Sequence, residues 1–159
     1  MIVLQGHGTR ARQLRGPEAA DGKPTVGEVI TRRYRCQICR VVVTVVPAEV
    51  LPSRLYSASA IAMAMALFGV ARRGARAVRA LISPWRIVGA ATTGWATLRR
   101  WVHAVREQRL WRCVRPGPST WTDHSVAARA ATTVAACAPP SAASLSIATA
   151  VFTGAAHAR

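Results

Sequence analysis

Cys36-Gln37-Ile38-Cys39 sets two thiols on a spacing that a tight turn folds together. Two thiolates so placed supply half of a tetrahedral zinc site, and a closed structural site takes four ligands. A zinc ribbon would set a second C-x-x-C on another hairpin, and the sequence has none. His7 upstream and Cys113 and Cys137 downstream have no spacing that recommends them as substitutes. The pair therefore reads as half of a zinc ribbon, as two structural thiols, or as a redox pair. The redox reading is the poorest, because the βαβ context of a thioredoxin-like motif is missing. Zinc, through Cys36 and Cys39, is the cofactor to which the pair points.

Other catalytic groupings are absent from the pattern. Strand transfer with two metal ions needs three carboxylates. Asp21, Glu107 and Asp123 belong to a total of six acidic residues, and none sits on a convincing strand of an α/β pattern. His7, His103, His124 and His157 lie apart in sequence, with no Ser-His-Asp or Cys-His arrangement around them. The expectation is a protein that is not an enzyme.

Charge is the strongest signal. Twenty-two basic residues face 6 acidic ones, a net charge of +16, and every basic residue except Lys23 is arginine. Arginine's planar donors bind two acceptors at once, which suits phosphates and guanine edges. A field of this sign draws polyanions toward the chain. The bland counterpart is a GC-rich coding sequence, which would enrich alanine and arginine together. Around the cysteine pair, Arg32, Arg33, Arg35 and Arg40 form a basic cluster.

The elements that must position these groups follow from periodicity. Residues 1–30 hold Gly, Arg, Pro and acidic turn formers, and read as an irregular arm with at most one hairpin, whose second strand enters near Val26. The β-branched run from Val41 to Val46, closed by Pro47, is the best strand. Pro52 to Ala71 is helical and apolar all round, so it needs burial by other helices or by lipid. Arg72, Arg73 and Gly74 end it, and a short helix follows at Ala75–Ile82. Ser83-Pro84 opens a two-turn helix to Ala90, and Ala91–Gly94 turns the chain. Trp95 to about Leu110 is the most convincing amphipathic helix: Leu98, Trp101, Val102 and Val105 share one side, while Arg99, His103 and Arg106 lie on the other. Thr122 or Asp123 caps a further helix that stops at Pro139-Pro140, and an alanine-rich segment follows.

Two helices joined by a glycine-containing turn, 83–110, make a helix-turn-helix candidate. Such a motif anchors its second helix by an apolar face and reaches DNA with the other. Thr97, Arg99 and Arg100 are then the base or phosphate contacts, with Arg106 and Arg109 on phosphates. The plain alternative is a surface helix whose charges are merely solvated.

The 159 residues suffice for one domain or two very small ones. Hydrophobic residues make up 51%, but much of that is alanine and only 6% is aromatic, so a thin helical core is expected. Four unevenly placed cysteines do not make a disulfide framework. The first residues lack the apolar stretch of a signal peptide, so a cytoplasmic chain with reduced thiols is expected. A membrane reading competes, since Leu55–Ala71 is uncharged for 17 residues, at the lower limit of a spanning helix. A decayed mobile-element fragment without selected function is a third reading, which the Ala/Ser/Thr-rich tail would suit.

Several short motifs, taken together, add a resemblance. These are G-H-G-x-R at Gly6–Arg10, L-R-G-P at Leu14–Pro17, R-R-Y-R-C-Q-I-C at Arg32–Cys39 and P-x-x-x-L-P at Pro47–Pro52. S-P-W at Ser83–Trp85 and G-W-x-T-L-R-R-W at Gly94–Trp101 join them. Over roughly residues 5–130 the sequence resembles an uncharacterised bacterial transposase-like family with an N-terminal zinc ribbon and a helix-turn-helix segment. Proteins of that kind usually carry another C-x-x-C ahead of the G-H-G segment, which this sequence lacks, so only Cys36 and Cys39 carry over as ligands.

The resulting expectation is a mainly α protein. An irregular arm (1–30) precedes a β-hairpin or half zinc ribbon (31–52). A helical DNA-binding domain (53–138) and an alanine-rich tail (139–159) follow. Duplex DNA is the expected partner, and a homodimer is what paired half-sites would require.

Overall fold

The computed structural model describes residues 3–85, 94–143 and 146–158. It corrects the expected fold class: the chain is not mainly α but a mixed α/β structure, with a three-stranded antiparallel sheet beside six α-helices among the described residues. Strand β1 (Leu4–Pro17) pairs with β2 (Pro24–Cys36) over almost its whole length, and β2 pairs with the short β3 (Val42–Val45). The register runs from Leu4 opposite Cys36 to Pro17 opposite Pro24, with one bulge between Gly6 and Thr9.

Most of the segment read as an irregular arm is therefore strand. The physical reason is cross-strand pairing. Thr9-Arg10-Ala11-Arg12-Gln13-Leu14 alternates with a period of two, and Thr25, Val26, Val29, Ile30 and Thr31 supply β-branched side chains opposite. Arginine's long stem tolerates a strand as long as its head reaches solvent.

The helical part begins at Ser57, whose hydroxyl accepts from the Ala60 N–H and caps α1 (Ala58–Met65). Every residue of α1 is buried. The helix then widens into a π-turn, Ala66–Val70, with the Ala71 N–H reaching the Ala66 carbonyl. Its end differs from the expected glycine stop. Arg72 takes the left-handed conformation (φ 53°), and Gly74 instead precedes α2 (Ala75–Ile82) as its N-cap. Helix α3 (Ala96–Arg106) follows, then α4 (Asp123–Ala135) capped by Thr122, α5 (Pro140–Ala143) and α6 (Ile147–Gly154) capped by Ser146.

The core is as alanine-rich as the composition implied. Ala58, Ala60, Ala62 and Ala64 of α1 and Ala127, Ala130 and Ala131 of α4 are fully buried, so the helices pack at close range around Ile61, Met65, Val134 and Val151. The aromatic weight lies at one end: Tyr56, Trp95 and Trp101 meet edge to face at 5.0–5.9 Å. Such pairs contribute about 0.5–1.5 kcal/mol each beyond the area they bury. The Tyr56 hydroxyl lies 3.1 Å from the Ser83 hydroxyl, which satisfies both in the interior.

No helix among the described residues is long and apolar enough to cross a membrane. The uncharged stretch Leu55–Ala71 is instead exposed at both ends and buried from Tyr56 to Ala66 within the helical core, with α4 against its π-turn. That contact depends on Gly69. A Cβ there would come within 2.2 Å of the Ala128 backbone nitrogen. Gly69→Ala is therefore expected to cost about 1–3 kcal/mol, as overpacking does, and to lower the urea unfolding midpoint. Gly6→Ala, with nothing within 4 Å of its Cβ position, should leave the midpoint nearly unchanged. Equal midpoints for both variants would contradict this packing.

Candidate nucleic-acid interface

Register decides where the sheet's arginines point. Directly opposed residues of an antiparallel pair share a face, and successive residues alternate. Arg10 opposes Thr31, so it shares a face with Arg33 and Arg35, which follow Thr31 at intervals of two. Arg33 and Arg35 stand roughly 7 Å apart along the strand. Thr44 and Val42 of β3 lie beside them. Arg32 opposes Thr9 and takes the other face with Tyr34. The cluster that reads as one basic patch in sequence is thus divided by the pleat.

One face of the hairpin bears the file Arg10, Arg33, Arg35. Arg10, Arg32 and Arg35 are exposed and Arg33 half-buried. Arg12 lies on the file's face but works inward: its Nη2 donates to the Leu51 carbonyl at 2.6 Å and to the Arg54 carbonyl at 2.8 Å. Among the described residues the ion pairs involve Glu107 and Asp123, and none neutralises a sheet arginine. Charge clustering along the sequence does not single out Arg10. The T-R-A-R alternation at Thr9–Arg12 is the signal that could have found it.

The cysteine pair closes this end of the sheet. Cys36 ends β2 and is buried, while Cys39 is exposed in the turn that leads to β3. The Cys36 N–H donates to the Val41 carbonyl, the Arg40 N–H donates to the Cys36 carbonyl, and Arg40 takes a left-handed φ of 64°. Hydrogen bonds to the Cys36 sulfur, from the Cys39 backbone first and then from the Ile38 backbone and the Cys39 thiol, hold its thiol below the ordinary range. Among the described residues no third His, Cys, Asp or Glu gathers with the pair; a closed zinc site takes four ligands.

Helix α3 divides as its sequence implied. Leu98, Trp101, Val102, Ala104 and Val105 are buried, while Arg99, Arg100 and His103 are exposed and Thr97 is intermediate. Arg106 and Arg109 have local partners. Arg106 donates to the Trp121 carbonyl at 3.0 Å and pairs with Asp123 at 3.1 Å, which ties α3 to α4. Arg109 pairs with Glu107, which also meets His103 at 2.8 Å. Residues 86–93, with most of the first helix of the helix-turn-helix candidate and most of its turn, lie outside the described residues. Ser83 ends α2, and its hydroxyl accepts from the Trp85 N–H at 3.4 Å; the helix it is expected to cap lies outside the described residues.

The arrangement offers two exposed guanidinium groups on a helix and a longer file on a β-ribbon. Either element fits the major groove of a duplex, which admits an α-helix or a two-stranded β-ribbon.

The thiol environment carries its own test. A folded-state value below the unfolded one means that Cys36 adds stability above the ordinary thiol range and loses it as pH falls through the lowered value. Alkylation by iodoacetamide, located by fragment-ion mass spectrometry, should reach half-maximal rate for Cys36 at lower pH in the folded chain than in urea. The same or a higher pH in the folded chain would contradict the hydrogen-bonded thiolate. No protein-family model, curated protein or solved structure matches this chain.

Proposed function

We propose that this chain is a non-catalytic DNA-binding protein that holds duplex DNA through phosphate contacts from its arginines. The observation that carries the reading is the arginine file of the β1–β2 hairpin, exposed at Arg10 and Arg35 and without carboxylate partners among the described residues, on a chain of net charge +16. Each phosphate contact releases condensed counterions, so affinity falls steeply with salt. The motif-level resemblance to transposase-like proteins supports the same partner.

Arg33, Arg35 and Arg10 on the ribbon face are the phosphate or base-edge contacts, with Arg32 on the opposite face and Arg40 in the turn after β2. Arg99 and Arg100 on α3 form a second contact. Thr97 stands at the N-terminal end of that helix, where a recognition helix meets base edges. Arg106, engaged by Trp121 and Asp123, and Arg109, paired with Glu107, are weaker phosphate contacts than Arg99 and Arg100.

Fluorescence anisotropy with a short labelled duplex at two salt concentrations tests the assignment. R33A/R35A should weaken binding to any duplex and flatten the log–log salt slope by roughly 2, one for each phosphate left without its arginine. R99A/R100A should weaken binding by a comparable factor if both elements engage at once. Affinity and slope unchanged in R33A/R35A would remove the ribbon from the interface. The same result in both variants would defeat the duplex reading itself.

A further inference from the structure

Of the five tryptophans, Trp85 alone is exposed, at 51%, while Trp95, Trp101 and Trp111 are buried and Trp121 is half-buried. Its position is fixed from the interior. The buried Ser83 hydroxyl lies 3.1 Å from the Tyr56 hydroxyl and accepts from the Trp85 N–H at 3.4 Å. Pro84 between them locks its own φ and stiffens the connection. A large indole kept in water on an anchored stem calls for a reason, because most of its surface is apolar.

Three cations, Arg15, Lys23 and Arg76, gather around the ring. Trp85 borders an open groove of about 660 Å³, to which the turn between β1 and β2 brings Lys23 and Pro24, and α2 brings Arg76 and Ala80. The Arg15 guanidinium lies over the ring, 5.7 Å from its centroid, and donates to the Gln13 side-chain oxygen at 2.7 and 2.9 Å. Lys23 and Arg76 are exposed, and neither forms an ion pair among the described residues. No Asp or Glu among those residues lines the groove, Glu18 and Asp21 of the neighbouring turn included.

An open aromatic ring flanked by cations fits an unpaired nucleotide. Every base offers a π-face to stack on indole, and the phosphates on either side of it carry the charge that Lys23 and Arg76 meet. A paired base offers no such face, because its neighbours in the duplex cover it. The groove also stands apart from the arginine file, since Pro24 and Arg33 are separated by roughly 30 Å along β2. We infer that this groove holds an unpaired nucleotide of single-stranded DNA, its base stacked on Trp85 and its flanking phosphates on Lys23 and Arg76. The ring and the charges point to the nucleotide, and the choice of DNA rests on the duplex reading above. A frayed end or overhang of the duplex held by the ribbon supplies the strand.

Fluorescence anisotropy of a labelled deoxythymidine octamer, set beside a blunt duplex, separates this site from the ribbon. W85A should weaken octamer binding about tenfold, the loss of one stacked base, and leave the duplex affinity as it was. K23A/R76A should flatten the octamer's log–log salt slope by roughly 1.4, for two single-strand phosphates. In the unmodified chain, the indole N–H resonance of Trp85 should shift to saturation with the octamer, a readout that needs no variant to fold. Octamer affinity unchanged in W85A, an equal loss on the duplex, an unchanged slope in K23A/R76A or an unmoved Trp85 resonance would each overturn the inference. Failure of the duplex reading shows separately, in R33A/R35A on the blunt duplex.

Discussion

One junction holds sheet and helices together. The Arg15 N–H donates to the Leu55 carbonyl at 2.8 Å, and the Ser57 N–H donates back to the Arg15 carbonyl at 3.1 Å, a short parallel bridge between β1 and the entry to α1. Arg12 grips the carbonyls of Leu51 and Arg54 a few residues away. Gly16 sits against Ala60 with φ 122°, where a Cβ would lie 2.3 Å from the alanine methyl. An isolated hairpin is marginal in water. Here its base is tied to the residue that caps the central helix, so the ribbon is held as part of the fold.

From that junction the division of labour follows. Ser57 launches α1 into a core of alanines, where close backbone approach replaces large side chains. Alanine loses no side-chain entropy on burial, which favours such packing even though each contact is small. The larger apolar groups collect where Tyr56, Trp95 and Trp101 meet, beside the start of α3. Arg12 and Arg106 turn inward, where carbonyl oxygens or a carboxylate receive them.

How much of this is legible in the sequence differs by element. The amphipathic face of α3 and the Thr122 cap are readable, because a helical stripe and a capping side chain are local signals. The long hairpin is legible only in part: a second strand entering near Val26 is expected, but not a pairing that runs almost the whole of residues 4–36, and the mainly α expectation fails with it. Its pairing is non-local, and the glycines, prolines and arginines along 1–30 outweigh a period-two alternation that only its partner strand makes decisive. The basic cluster at 32–35 is visible as charge, but its division between two faces needs the register. The partner of Arg106 is hidden as well, since Asp123 lies 17 residues away.

Direct contact between the duplex and the arginine file of the β1–β2 ribbon is what the proposed function stands on. Amide-resolved NMR of the full chain, titrated with a short duplex, reads that contact residue by residue. The largest, saturable shifts are expected at Arg10, Arg33 and Arg35, with the amides of the buried α1 helix unmoved. Shifts that leave those three amides in place while others move, or no shifts at low salt, would contradict it.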